Sequence, residues 1–240
     1  MFLTNARCIR LHFLKPTRAQ VAALARSDPR LGAWIRRLPP FPGFPDGARG
    51  RGTHYEALAR AIVFQQLATR AAETIHGRVC ALTPGTRFPE PEELACLPDP
   101  ALRGAGLSTA KTAALRDLAA RARDGRLRLA SIARRADPAV ITELVEVRGI
   151  GVWSAQMFLL FRLGRLDVLA PGDLGLQEGL RILDERSERP TPKELEARGA
   201  IWAPLRSVAS WYLWRIVDHE RAALRAAADA ARDGTKRRSR

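Results

Sequence analysis

Two stretches of the chain carry residue types and spacings that could do chemistry. The first is Leu144-Val145-Glu146-Val147-Arg148-Gly149-Ile150-Gly151-Val152-Trp153-Ser154-Ala155, and the second is Pro171-Gly172-Asp173. A Gly-x-Gly turn between two apolar helical segments leaves backbone N–H groups bare. The following helix adds the positive end of its dipole, so Gly149, Ile150 and Gly151 make a ready site for an anion such as a phosphate. Asp173 follows after room for one helix and a return loop. A fixed carboxylate in a poorly hydrated site can stabilise positive charge that develops in a reaction beside it.

The elements that must position these residues follow from patterning. Asp137-Pro138 to Val147 reads as a helix with Asp137 as N-cap and Pro138 at the first helical position; Val140, Ile141, Leu144, Val145 and Val147 form its apolar face. Gly149 stops it, and a second helix starts near Val152 and carries Met157, Phe158, Leu159 and Phe161. Both glycines suit a turn that needs positive φ and close approach of a ligand. Asp173 is also well placed to N-cap a helix over 174–183, a role compatible with chemistry because helix N–H groups favour the ionised carboxylate.

The hairpin and the run Asp167-Val168-Leu169-Ala170-Pro171-Gly172-Asp173 resemble the helix-hairpin-helix base-excision DNA glycosylases, and within them the 3-methyladenine DNA glycosylase II, or alkylation-repair, type. Phe64-Gln65-Gln66-Leu67-Ala68-Thr69, Gly106 to Lys111, Asp173 to Leu176 and Trp202 to Ser207 occupy that family's order, and the likeness covers roughly residues 52 to 218.

The resemblance implies that Asp173 is the catalytic carboxylate, stabilising the deoxyribose as the N-glycosidic bond breaks. Members that also cut the DNA backbone carry a Schiff-base lysine where this chain has Trp153. The four lysines, Lys15, Lys111, Lys193 and Lys236, all lie outside the hairpin. A monofunctional hydrolase acting on alkylated bases and leaving an abasic site is therefore expected. Trp153, Trp202, Phe64 and Met157 are the expected walls of a pocket for a flipped base, since a cationic N-methylpurine is attracted to an indole face. The helical spacing of Trp153, Phe64 and Met157 also suits a core, and Trp211 and Trp214 are assigned there. Gln66 falls where the family fills the gap left by the flipped nucleotide. Ser108, a natural N-cap, and Lys111 are further candidates for phosphate contact. Arg206 and Ser207 would bind backbone or brace the pocket.

The chain has 240 residues and a net charge of +15 from 40 basic and 25 acidic groups, and nearly all the basic residues are Arg. That suits a polyanionic partner, here double-stranded DNA, bound with steep salt dependence. Cys8, Cys80 and Cys96 form no CxxC pair, and no cysteine follows Cys96 to build the iron–sulfur cluster some relatives carry. No cofactor is required on this reading. The resemblance implies only a structural Na or K on the backbone carbonyls of Val145, Val147 and Ile150. His12, His54, His76 and His219 lack metal-ligand spacing. The scattered cysteines point to a reducing cytoplasm, and no long apolar run suggests a membrane span or secretory leader; a nucleoid-associated monomer is expected.

Strand signals are scarce, so an all-α fold is expected, with two helical lobes, the hairpin at the cleft between them, and no full β-rich N-terminal domain. Residues 1–52, turn-rich around Pro39 to Gly52 with one or two helices in Ala19 to Leu38, form an extension packing on the helical core. Residues 53–163 form the first lobe, opened by a Thr53-x-x-Glu56 capping box, and 164–230 the second, with another helix start at Thr191-Pro192. Residues 231–240 read as a basic disordered tail. Two rivals stand beside the main reading. One is a glycosylase for oxidised or deaminated bases; the other is a noncatalytic hairpin protein that only grips DNA, for which Asp173 and the tryptophans would be superfluous.

Overall fold

The computed structural model describes residues 15–44 and 52–238, with side chains through 229. The expectations for residues 1–14, 45–51 and 239–240 lie outside the described residues. The described residues are helical, with no β-strand, and divide into two compact units: 44–164, and 15–43 together with 165–238.

The first unit begins with α3 (His54–Phe64), after α1 (Arg18–Ser27) and α2 (Pro29–Arg37), which belong to the second. Thr53 and Glu56 cap α3 reciprocally, with each backbone N–H donating to the other's side chain at 2.6 and 3.1 Å. Its buried face, Tyr55, Leu58, Ala59, Ile62 and Val63, packs on α4 (Thr69–Cys80), α7 (Thr109–Arg123) and α9 (Val152–Phe161). Two short helices, α5 (Pro91–Cys96) and α6 (Asp99–Gly104), lie against α7, and a 3-10 turn over Leu129–Arg134 leads to α8 (Asp137–Val145).

A buried pair ties α3 to the end of α9. Arg162, 3% exposed, donates from Nε to His54 Nδ1 at 3.0 Å. Burial, and then the Arg162 charge, push the His54 imidazole from 6.5 down to about 4. The folded state therefore holds a neutral ring. Its contribution is complete above pH 6.5 and is lost as pH falls from 6.5 towards 4, by no more than about 1.4 kcal/mol per pH unit. Urea midpoints of the wild type should fall across that window. His54→Gln, which still offers Arg162 an acceptor but does not titrate, should lose that part of the slope; an unchanged slope would remove His54 as its source.

In the second unit Thr17 caps α1, and Asp28 closes α1 and opens α2 as its N-cap. The expected helical region Ala19 to Leu38 thus holds two helices. This segment is built into the core: α2 packs on α12 (Arg206–Arg238), α1 on a 3-10 turn over Ala200–Trp202, and the Phe41 N–H donates to the Tyr212 hydroxyl at 3.2 Å. Two further helices, α10 (Leu174–Leu183) and α11 (Pro192–Gly199), complete it, α11 opened by a Thr191–Glu194 capping box with Pro192 at its first position. The closest packing joins α10 to α12. A Cβ on Gly179 would sit 2.6 Å from the Leu213 carbonyl oxygen, so this crossing requires glycine.

The expected disordered tail is corrected in part, because α12 continues through Arg238. The physical reason is the run from Arg221 to Arg232, built almost wholly of Ala, Arg and Leu, the strongest helix formers.

Candidate functional site

The hairpin between α8 and α9 is two residues longer than the sequence suggested. Helix α8 stops at Val145 rather than Val147; its N-cap is Ala136, and Asp137 instead occupies the first turn, where its charge meets the helix dipole. Two turn bonds, Val147 N–H to Leu144 O at 3.1 Å and Ile150 N–H to Val147 O at 3.0 Å, reverse the chain. The two glycines have different reasons. Gly149 has φ +80 and its absent Cβ would lie 3.2 Å from Ala114 Cβ, so backbone conformation and packing on α7 both select it. Gly151 has φ −93, an ordinary value, and a Cβ there would meet nothing within 4 Å. Its lack of side chain therefore serves no internal contact and keeps the approach to the turn open.

The N–H groups of Gly149, Gly151 and Val152 have no acceptor among the described residues. Ile150 is 5% exposed, so it offers only backbone to a ligand. Three contacts brace the turn and the end of α3 that reaches it through Gln65. Gln65 Nε2 donates to the Gly149 carbonyl at 2.8 Å, the Arg148 N–H donates to Asp117 Oδ2 at 2.8 Å, and Lys111 Nζ donates to the carbonyls of Val63 and Gln65 at 2.8 Å each. The expected phosphate contact by Lys111 is corrected by that geometry. Its ammonium caps the C-terminal end of α3, and burial lowers its pKa. Ser108 is the N-cap of α7, accepting from the Lys111 N–H at 3.2 Å, and is exposed there.

Gln66 is exposed at the turn between α3 and α4 with φ 55, a left-handed conformation unusual for a side chain of its size. Leu67, beside it, is an exposed aliphatic residue that sequence reasoning missed; an apolar residue in a two-helix turn was the available signal. Trp153 lies in the first turn of α9 and is 48% exposed, with Met157 one turn along the same face and partly exposed. Phe64, at the end of α3, is partly exposed, and the Arg60 guanidinium lies 3.7 Å from its ring centre, covering one face. The structure thus brings Trp153 and Met157 together on α9.

Trp202 does not join them. It is fully buried in the core of the second unit, where Nε1 donates to Asp28 Oδ2 at 2.8 Å. Asp28 also accepts from Arg198 Nη2 at 2.7 Å and from the Leu31 N–H at 3.1 Å. Burial raises the Asp28 carboxyl, but the donors Trp202, Leu31 and Arg198 outweigh it and hold it low. The assignment of Trp202 to a base pocket is therefore corrected: it is a structural anchor. Arg206 is likewise engaged, its Nε and Nη2 donating to the two oxygens of Asp167 at 2.8 and 2.9 Å, so the expected DNA contact becomes a brace for the loop leading to Asp173. Ser207 Oγ accepts from the Val168 N–H at 2.8 Å and donates to the Val168 carbonyl at 3.2 Å.

Asp173 is the N-cap of α10, with Oδ1 accepting from the Leu176 N–H at 2.8 Å. The same oxygen accepts from Trp214 Nε1 at 3.0 Å. Trp214, placed in the core by its apolar helix, is thus part of the carboxylate's cradle. Gly175 makes room for it: a Cβ there would lie 3.0 Å from both Asp173 Oδ1 and Trp214 Cδ1. A glycine two residues after the carboxylate, inside a helix it weakens, was the sequence signal for that contact. Gln177 Nε2 donates to the Pro171 carbonyl at 2.9 Å and the Asp173 N–H to the Ala170 carbonyl at 3.0 Å, which fixes the turn before the cap. The carboxylate is held yet partly exposed. Among the described residues no cluster of His, Cys, Asp and Glu could hold a metal ion.

A hairpin offering bare N–H groups and a cradled carboxylate on an all-α frame define a helix-hairpin-helix repair protein. The chain belongs to the HhH-GPD superfamily of base excision DNA repair proteins, whose family model matches residues 59–204. Among its relatives, DNA-3-methyladenine glycosylase 1 of Schizosaccharomyces pombe is 33% identical over 172 residues, 71% of this chain and 75% of that one. The crystal structure of DNA-3-methyladenine glycosidase from Bacillus halodurans superposes with TM-score 0.74 at 35% identity, covering 85% of this chain and 91% of that one. The structure of the S. pombe 3-methyladenine DNA glycosylase in complex with abasic DNA superposes with TM-score 0.72 at 29% identity, covering 83% and 96%.

Proposed function

We propose that the protein is a monofunctional DNA glycosylase that removes alkylated bases of the 3-methyladenine and 7-methylguanine type from double-stranded DNA and leaves an abasic site. The observation that carries this reading is the cradle of Asp173: a partly exposed carboxylate fixed by a helix N–H and an indole N–H on one oxygen. The names borne by the relatives supply the substrate class, and Trp153, where a Schiff-base lysine would stand, supports hydrolysis without strand cleavage.

In the reaction the C1′–N bond breaks heterolytically and its electron pair leaves with the base. A cationic methylpurine departs neutral, so little acid catalysis is needed. Positive charge develops on the deoxyribose, and the Asp173 carboxylate stabilises it. Water then adds to C1′ and loses a proton, giving the abasic sugar. Flipping the base costs a few kcal/mol, least for a damaged base. Trp153, with Met157 and the uncovered part of Phe64, offers the apolar and π surface that offsets it. Gly149, Gly151 and the start of α9 would hold a phosphate, Ser108 a second one, and Gln66 would enter the gap in the stack. The enzyme acts as a monomer.

The carbonyls of Val145, Val147 and Ile150 fit a structural Na or K by donor chemistry. They are neutral hard oxygens, those of Val145 and Val147 at the negative end of α8, and the Val147 oxygen, though accepting from Ile150, has a second lone pair. The ion would hold the turn's shape.

The test is free-base release from dimethyl-sulfate-treated duplex, with bases resolved chromatographically and strands examined before and after alkali. Methylpurine release with strands intact until alkali, and no borohydride-trapped adduct, is expected. Binding without release would point to oxidised or deaminated bases or to a noncatalytic protein. Gly175→Ala should leave stability within about 1 kcal/mol, because Ala is the better helix residue. It should slow release at least about tenfold, because loss of one charge-assisted bond costs about 1.5 to 3 kcal/mol. Release at the wild-type rate would show that Trp214 does not set the carboxylate.

A further inference from the structure

Six large apolar side chains are exposed among the described residues: Leu67, Val152, Trp153, Leu174, Ile201 and Leu224. Four of them adjoin groups proposed to meet DNA. Leu67 follows Gln66, Val152 and Trp153 follow Gly151, and Leu174 follows Asp173. Exposed apolar side chains that recur beside binding groups mark surface that a ligand covers. Of these four, Leu174 is the one joined directly to the reacting carboxylate.

The fold of its own unit does not explain Leu174. It is the first residue of α10 and is 64% exposed. A helix start favours proline or an acidic residue, and α3, α8 and α11 carry Glu56, Asp137 and Glu194 in their first turns. The first turn of α10 has no acid. Packing does not hold the leucine either, because together with Gly175 it borders an open cavity of about 380 Å³. Asp173, the cap immediately before it, is partly exposed, with the Leu176 N–H and Trp214 Nε1 both donating to Oδ1. A carboxylate stabilises developing positive charge best where water is excluded, and an aliphatic group beside it can exclude water without competing for its hydrogen bonds.

We propose that Leu174 is a positioning residue that acts through Asp173: with a damaged nucleotide docked, its isobutyl group closes the carboxylate off from water. The proposal rests on the reading of the protein as a DNA glycosylase that works through Asp173. The carboxylate supplies the charge, and the leucine sets the medium in which that charge acts. Because the effect lies at the carboxylate and the sugar, it applies equally to every base the enzyme releases.

The test measures single-turnover release of 3-methyladenine and 7-methylguanine from dimethyl-sulfate-treated duplex by the full chain, with enzyme in excess and occupancy read in the same samples. Wild type is compared with Leu174→Ala, Leu174→Met, Asp173→Asn and the double variant Asp173→Asn/Leu174→Ala. Alanine and methionine are both strong helix formers and the position is exposed, so the urea midpoints should not move. Leu174→Ala should release both bases about tenfold more slowly at unchanged affinity for an abasic-analogue duplex, a smaller loss than removal of the charge itself. Leu174→Met, which restores apolar cover, should return to within about threefold of the wild type. In the Asp173→Asn background the alanine substitution should change the rate by less than about twofold, because no charge remains to shield. A wild-type rate for Leu174→Ala, a loss that methionine does not repair, or an equal factor in both Asp173 backgrounds would overturn the proposal. So would a changed ratio of the two bases, which would make Leu174 a wall of the base pocket, or a loss confined to affinity, which would make it a grip on DNA. No release by the wild type would overturn the glycosylase reading and the proposal with it; equal release by the wild type and Leu174→Ala would overturn the proposal alone.

Discussion

Trp202→Ala destabilises the second unit by about 3 to 5 kcal/mol, the usual consequence of deleting a large buried side chain, and it does so whether or not DNA is present. The indole is 0% exposed, and its N–H is one of three donors that keep the Asp28 carboxylate ionised inside the unit. Removing it opens a cavity and leaves a buried charge one donor short. Trp202→Phe separates the two effects. It retains most of the volume and loses only the bond to Asp28, so it should cost about 1.5 to 3 kcal/mol, the range for hydrogen bonds to charged groups. Urea unfolding of the three proteins is the check. Full stability with impaired base release would return Trp202 to the wall of the base pocket and undo its assignment as an anchor.

That anchor marks the boundary of what patterning alone could give. Trp153 and Trp202 looked alike as sequence, each a tryptophan near a turn in a matching family position. What separates them is a partner far away in the chain: Asp28 for Trp202, and exposure in the first turn of α9 for Trp153. The helical character, the capping box at Thr53, the helix start at Thr191-Pro192, and the caps Ser108 and Asp173 were legible because they depend on near neighbours in the chain. The hairpin was legible for a similar reason, although Gly151 proved to be selected by open space rather than by backbone conformation. Lys111 and Arg206 read as phosphate ligands because a basic residue near a helix start suits that role. Their actual acceptors, the carbonyls of Val63 and Gln65 and the carboxylate of Asp167, are tertiary neighbours that periodicity cannot supply. Trp214 illustrates the converse. Its helix is apolar on most sides, which argues for core, yet one ring nitrogen reaches Asp173 because Gly175 leaves the space.

Asp173→Asn should lower the rate of base excision by at least about 10² to 10³, the scale found when one preorganised electrostatic group is removed from a reacting centre. Asparagine caps a helix as well as aspartate does, so the Leu176 N–H keeps an acceptor and thermal stability should move by less than about 0.5 kcal/mol. The amide oxygen can also still receive the Trp214 N–H. The substitution therefore removes charge while sparing the cradle. Binding to an abasic-analogue duplex should be retained, because the contacts that grip phosphate involve the hairpin and not Asp173.

The most direct test of the account is a single-turnover time course of 3-methyladenine release from a methylated duplex, with wild-type and Asp173→Asn proteins in excess over DNA and binding confirmed in the same samples. The account predicts prompt release by the wild type and release at least about a hundredfold slower by the variant at equal occupancy. Equal rates from the two proteins would contradict it, since the carboxylate held by α10 and Trp214 would then not be the group that breaks the glycosidic bond.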